Sequence, residues 1–449
     1  MSTIEKHDMT QGKILLPLVS FTIPLVLGNL FQLTYNAADS VIVGKYVGEQ
    51  ALAAVGTSTP IMNIAILLIS GMCMGASVLM SSQYGAKDYD TLSRQISTTM
   101  LAGCGFSVVF SLLMLLLANP VLRLIRVPET AIPEAAAYLR IIFMGLIFTF
   151  MYNFLANTMR ALGDSKTPLY FLVTSAFLNI FGDLFFVVVL RWGVAGSAIA
   201  TVCSEGLCCL LCGIYIKKKI PLLCLGKKWW VFDKSLLGKT VSYGSTSAMQ
   251  QVCLQLGKLI IQSVVNTQGA AVMAAFTAVN RVDDFAYTPQ QNIGHAMTTF
   301  LAQNKGAGHK ERMKKGFQTG LLIELVYSIG LFCVIWGLAP QIMTLFAEDG
   351  DAQVVSLGIS YLHLISWMYI LPGLTNGVQG FFRGIGDLKV TLYSTFMNMF
   401  GRVVAVFVMI RLLQMEFASL AWANMVGWIV MLLFEVPLLV KSMRNGECG

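Results

Sequence analysis

Twelve apolar runs of about twenty residues or more follow one another along this 449-residue chain, and no water-soluble core could hide them all. They cover roughly 15–43, 52–80, 95–118, 135–158, 167–190, 193–215, 238–265, 270–302, 316–339, 353–378, 390–410 and 417–440. In hydrocarbon every backbone polar group must be satisfied internally, so such runs become membrane-spanning helices. Charged residues make up 12% of the chain, where a soluble domain carries about 25%. Mean hydropathy is +0.70. The expected class is an all-α polytopic membrane protein. The polar opening MSTIEKHDMTQGK has no short apolar segment with a small-residue cleavage site after it, so the first run is expected to stay as a helix.

Lysine and arginine set the orientation. Both termini, with the segments near 81–94, 159–166, 216–239, 303–315 and 380–389, hold 22 of the 31, and the opposite loops hold five: Lys45, Arg123, Arg126, Arg191 and Arg411. Both termini are therefore expected in the cytoplasm. The net charge of +8 is mostly this inner-face bias and indicates no nucleic-acid patch. Most of the ten cysteines fall inside spans, where they act as small apolar residues rather than disulfide partners. The four histidines form no ligand pattern, and a metal at Cys208 and Cys212 lacks supporting ligands.

The chain is built twice. The basic connector KKKIPLLCLGKKWWVFDK leaves six spans on each side, giving expected lobes at 1–216 and 236–449 with a cytoplasmic linker at 217–235. MRALGDSKTPLY (159–170) repeats as FFRGIGDLKVTLY (381–393), and SSQYGAKD (81–88) as AQNKGAGH (302–309). Six is even, so the two six-helix bundles are related by a pseudo-two-fold axis along the membrane normal. Transporters assembled from repeats bind substrate near the repeat interface and alternate access by moving one part against another.

The repeats part company at charged positions. LNIFGD (178–183) pairs with MNMFGR (397–402), setting Asp183 against Arg402, and the first spans set Asp39 against Ile260. At 1.5 Å per residue, Asp39 lies about 9 Å inward of Lys45, Asp183 about 12 Å inward of Arg191, and Thr201 about 15 Å. Asn179 is one turn from Asp183. Two carboxylates, an amide oxygen and a hydroxyl suit a small hard cation or a shared proton. Intramembrane acids are costly and by default functional. Glu324 and Glu435 read as structural or near an interface, and Asp283 and Asp284 as local ion-pair partners of Arg281, with a role in coupling as the alternative. Lys258 has three open readings: it snorkels, pairs with an acid, or repels cations.

The twelve-span layout, DSVIVGKYVGEQALAAVG, RALGDSKTP, LNIFGD and GVAGSAIAT in this order resemble the multidrug and toxic compound extrusion (MATE) family over essentially the whole chain. The resemblance implies a V of two lobes exporting cationic or amphipathic drugs against an inward flow of protons or sodium ions, without a cofactor. It points to the branch whose cation site lies in the N-lobe, with Asp39, Asn179, Asp183 and Thr201 as ion ligands, Pro24 as the hinge of the first span, and Tyr35 and Tyr138 nearby. The branch with acids in the seventh and tenth spans fits poorly: here those spans carry Gln250, Gln251 and Gln255, and no acid, respectively.

Substrate contacts are expected from Tyr35, Tyr138, Asn157, Asn153 and Gln32, amid flexible Met and Phe surface suited to varied amphipathic ligands. Membrane lipids surround an expected monomer in the inner (cytoplasmic) membrane. A lipid-linked oligosaccharide flippase is the main alternative, which basic residues converging on the cleft (Lys258, Arg402, Arg140, Arg281) would favour. An aspartyl hydrolase built on Asp39 and Asp183 and a passive channel fit the repeat less well.

Overall fold

The computed structural model describes residues 8–124, 127–129, 131–220, 230–346, 352–413, 417 and 419–444, without the side chains of 36–38, 40, 49–54, 346, 411 and 419. The centre of the connector, 221–229, and the extreme termini lie outside the described residues. Every regular element among the described residues is helical. The first half gives α1 (Leu15–Tyr46), α2 (Glu49–Gly85), α3 (Tyr89–Leu124), α4 (Ile132–Met144), α5 (Leu146–Ala161), α6 (Lys166–Asp183) and α7 (Gly193–Lys219). The second gives α8 (Lys234–Val265), α9 (Ala270–Gly306), α10 (Lys310–Phe346), α11 (Ala352–Ser366), α12 (Ile370–Ile385), α13 (Leu388–Phe407) and α14 (Ser419–Arg444).

Helices α4 and α5 form one span bent by 47°, and α11 runs into α12 through a 3-10 turn at Trp367–Tyr369. Counted so, ten columns among the described residues are long and apolar enough to cross a bilayer. The other two expected spans fall on α8 and α9, of 32 and 37 residues. These are the polar ones: α8 carries four glutamines and Lys258, and α9 carries Asp283, Asp284 and Gln290. Gln250, Asp283 and Gln290 are buried, so their polarity faces protein.

Contacts group the chain into two compact units, one from Ile23 to Ala248 and one of Met9–Thr22 with the residues from Met249 onward. The first is cored by Phe143, Phe150, Phe154 and Met80; the second by Tyr361, Tyr369, Phe276 and Met343. In lipid, apolar side chains gain nothing by leaving water, so helices associate by close van der Waals packing through small residues. Helix α12 follows this rule: twelve of its sixteen residues are buried, so it is enclosed nearly all round. A Cβ at Gly380 would lie 2.7 Å from the Gly294 carbonyl oxygen of α9. The α4–α5 bend falls at Gly145, where a Cβ would come within 2.4 Å of the Val202 side chain on α7.

Helix α6 ends at Asp183 and widens into π turns over Leu184–Val189; α13 does the same over Val408–Leu412. The repeat thus keeps a register of 223 to 224 residues through this span. It sets Arg402 against Asn179 and Val406 against Asp183, one turn away from the pairing suggested by LNIFGD and MNMFGR. A slip of four residues is close to one helical turn, so the two registers align the same faces and a short motif cannot separate them. The positive-φ glycines Gly48 and Gly269 before α2 and α9 are 221 apart, which keeps Ile260 opposite Asp39. Both acids of the first half still face a non-acidic partner.

Asp233 closes the connector onto α3. Its Oδ1 accepts the Ser235 and Leu236 amides at 2.8 and 3.2 Å, and Arg94 Nη2 donates to Oδ2 at 2.5 Å. The Leu236 N–H, then the Ser235 N–H and Arg94, hold this carboxyl below its ordinary 3.8. A carboxylate depressed by folding stabilises the fold above its unfolded pKa, and that contribution is lost as pH falls through the folded value. Asp233→Asn is therefore expected to lower the melting temperature at pH 7. The gap to wild type should close as pH drops below about 4, as thermal melts across pH would record.

Candidate functional site

Asp183 is fully buried, and neither carboxylate oxygen accepts a hydrogen bond from any described donor. It lies against the carboxylate of Asp39 and the hydroxyl of Ser197. Ser197 Oγ donates to Asp39 Oδ1 at 2.8 Å. One turn before Asp183, the nearly enclosed Asn179 donates from Nδ2 to Thr201 Oγ1 at 3.1 Å, leaving its Oδ1 without a donor among the described residues. The approach of α6 to α7 that brings these groups together depends on Gly182, where a Cβ would stand 2.9 Å from that of Ala200. An enclosed anion without a donor is costly, and a second carboxylate beside it adds repulsion. Such a pair is stabilised by a proton or a small cation, and the oxygen set around it is hard.

A cavity of about 210 Å³ opens from the Asn179–Thr201 side of this cluster. Among the expected substrate contacts, Gln32, Tyr35 and Asn153 line it. Tyr138 and Asn157 do not. Tyr138 is buried among Val43, Val55 and Val194 with its hydroxyl 3.9 Å from Met62 Sδ, and Asn157 Nδ2 donates to the Asn153 carbonyl at 2.8 Å. Pro24 stands inside an uninterrupted α1; lacking an N–H, it cannot bond the Ser20 carbonyl one turn back.

Two participants went unremarked as site residues in the sequence: Ser197, and Glu205, which accepts the Thr149 hydroxyl and faces the same cavity. The signal was present, since Ser197, Thr201 and Glu205 stand four apart on one face of α7. Arg160 also lines this cavity, with a buried Nε that has no acceptor among the described residues. Cys208 and Cys212 are buried, Cys208 Sγ lying 3.1 Å from the Phe171 carbonyl, and no group of three metal-type ligands occurs among the described residues.

The second unit has a cavity of its own, about 280 Å³, at the repeat-equivalent place. On α5 and α12 the lining residues correspond at a constant separation of 223: Tyr152 with Thr375, Asn153 with Asn376, Ala156 with Gln379, Arg160 with Arg383. The same separation joins Asn179 to Arg402 and Glu205 to Trp428. Lys258 also lines this cavity and makes a 3.3 Å ion pair with Asp284, as its pairing reading expects. Asp283 does not pair with Arg281. It is buried and accepts the hydroxyls of Tyr361 at 3.0 Å and Tyr369 at 2.5 Å, while Arg281 is exposed. Glu324 and Glu435 are buried, with no hydrogen-bond partner among the described residues.

A duplicated membrane bundle with a polar cavity inside each copy serves the passage of solutes rather than turnover, and the class is that of a membrane transporter. The family profile described as MatE matches residues 24–185 and again 247–410, segments that also begin 223 residues apart. The probable multidrug resistance protein YpnP of Bacillus subtilis (strain 168) is 32% identical over 87% of this chain and 86% of its own length. The probable multidrug resistance protein NorM of Thermotoga maritima is 23% identical over 92% of this chain and 89% of its own. An outward-facing multidrug resistance MATE transporter of the MOP superfamily has the same fold, with a TM-score of 0.91 at 22% identity, covering 100% of this chain and 99% of that one. The chain belongs to the MATE family.

Proposed function

We propose that this transporter is an antiporter that admits protons or sodium ions while exporting cationic and amphipathic drugs by alternating access. The observation that carries the reading is Asp183: a fully buried carboxylate with no hydrogen-bond donor among the described residues, set against a second carboxylate. Relatives named for multidrug resistance support the substrate class. In this reading Asp39, Asn179, Asp183 and Thr201, with Ser197, hold the ion. Drug enters the cavity lined by Gln32, Tyr35 and Asn153, with Tyr138 and Asn157 shaping the helices around it. Ion loading shifts the population toward drug release, which requires unequal affinity for the two states. Pro24 is the flexible point of α1. The N-lobe spans 1–216 and the C-lobe 236–449, joined by a linker at 217–235. The molecule works as a monomer in the cytoplasmic membrane with both termini inside.

A second reading, a lipid-linked oligosaccharide flippase, draws on one observation: Lys258 and Arg402, joined by Arg383, face a single cavity. Arg140 and Arg281 are exposed and line neither cavity. Ethidium or fluoroquinolone transport in proteoliposomes, under sodium and proton gradients imposed separately, tests the two. Antiport predicts uphill drug movement under one gradient. No uphill movement under either would sink it and turn attention to lipid-linked sugars.

A further inference from the structure

We infer that the cavity of the second unit binds an anionic group, a carboxylate or a phosphate, carried on an amphipathic molecule. The inference stands on the charge and hydrogen-bonding of that cavity and does not depend on the antiport reading.

Three cations face the cavity, Lys258, Arg383 and Arg402, against one acid, Asp284, which is already paired with Lys258. Arg383 is only 7% exposed. Its Nη2 donates to Gln379 Oε1 at 2.6 Å, while its Nε has no acceptor. Arg402 Nε is likewise buried without an acceptor, and no ion pair involving either arginine occurs among the described residues. The nearest acids are Asp283, committed to two tyrosine hydroxyls, and Glu435; neither lines the cavity. Three cations on one cavity wall, with the single lining acid already paired, suit a carboxylate or phosphate as occupant.

Comparison between the repeats sharpens the case. The common scaffold places Arg160 and Glu205 in the first cavity, a balanced pair. At the equivalent positions the second cavity keeps the arginine as Arg383, replaces the acid by Trp428, and gains Arg402 where the first has the neutral Asn179. Gln255 and Asn376 add amide groups beside the cations, and Trp428 offers a flat apolar wall. A packing role alone would not require both changes to move the charge in the same direction. The occupant therefore carries negative charge at one end and apolar surface at the other.

The test uses the full chain in nanodiscs made of uncharged lipid, with four probes: dodecyl phosphate, laurate, dodecyltrimethylammonium and inorganic phosphate. Calorimetric titration gives affinity, and the tryptophan fluorescence change that disappears in Trp428→Phe reports occupancy of this cavity. Dodecyl phosphate or laurate is expected to bind at least tenfold more tightly than the ammonium probe. Arg402→Gln and Lys258→Gln should each weaken that binding about tenfold or more, and Arg402→Lys should restore part of it. Preference for phosphate over laurate would identify a lipid-type headgroup; equal binding, a general carboxylate or phosphate site; binding of inorganic phosphate as tight as that of dodecyl phosphate, a free anion, which removes the amphipathic part of the inference. Equal affinity for the anionic and cationic probes overturns the proposal. So does wild-type affinity in Arg402→Gln and Lys258→Gln, whose folding is checked by thermal melts.

Discussion

Asp183→Asn is expected to abolish ion-driven drug export in proteoliposomes, reducing uphill transport by roughly a hundredfold or more, while the protein still folds. The carboxylate is fully buried and has no donor to replace among the described residues, so the amide fits the same space at little structural cost. What the amide cannot do is bind and release a proton, or neutralise a cation. Asp39→Asn should act in the same direction, since the two carboxyl groups share one site. Ser197→Ala removes a hydrogen bond to a charged acceptor, of the kind worth about 1.5–3 kcal/mol, and should cost about tenfold or more in coupled transport. Drug binding, measured separately by equilibrium titration, should stay within about threefold of wild type in all three variants. Full uphill export in both aspartate variants would show that the pair is structural.

Gly380→Leu should have the largest effect on stability. A Cβ there meets the Gly294 carbonyl oxygen at 2.7 Å and the Met297 Cβ at 3.2 Å, so the first obstacle is backbone and cannot swing aside. Overpacking a well-fitted interface costs about 1–3 kcal/mol, and an obstacle made of backbone places this change at the upper end or beyond. A fall of about 5 °C or more in melting temperature is expected in detergent. Gly330→Leu is the control: a Cβ there meets nothing within 4 Å, and its melting temperature should stay within about 1 °C. If both variants melt together, close backbone packing of α9 and α12 does not limit stability.

The helical class was legible because bilayer thickness imposes a length on each apolar run, and twelve runs carry that length. Helices α8 and α9 were legible too, even though their glutamines and aspartates lower their hydropathy, because their flanking breaks align with those of the first half. The acid cluster was readable from rarity: a carboxylate inside an apolar run stands out, and Asn179, Asp183 and Thr201 fall at one-turn spacings. Ser197 was harder to read, since serine is an ordinary packing residue in membrane helices and only its distance from Asp39 marks it. Tyr138 and Asn157 show the converse. Their polarity suggested the cavity, but spacing along a helix does not say which neighbour a polar group takes: Tyr138 packs among Val43, Val55 and Val194, and the Asn157 amide bonds the Asn153 carbonyl of its own helix. The slip at Arg402 has the same origin, since periodicity fixes a face before it fixes a position along it.

The π turns after Asp183 and after Phe407 bear on the history of the molecule. A feature present at matching places in both halves belongs to the duplicated scaffold, so the widened backbone does not depend on the charge each copy carries there. The acid was then kept or acquired on one copy only. The other copy carries Val406 at that place, with Arg402 one turn before it. A carboxylate introduced at Val406 would meet backbone of the same form, so the two halves differ in side chains laid over an inherited frame.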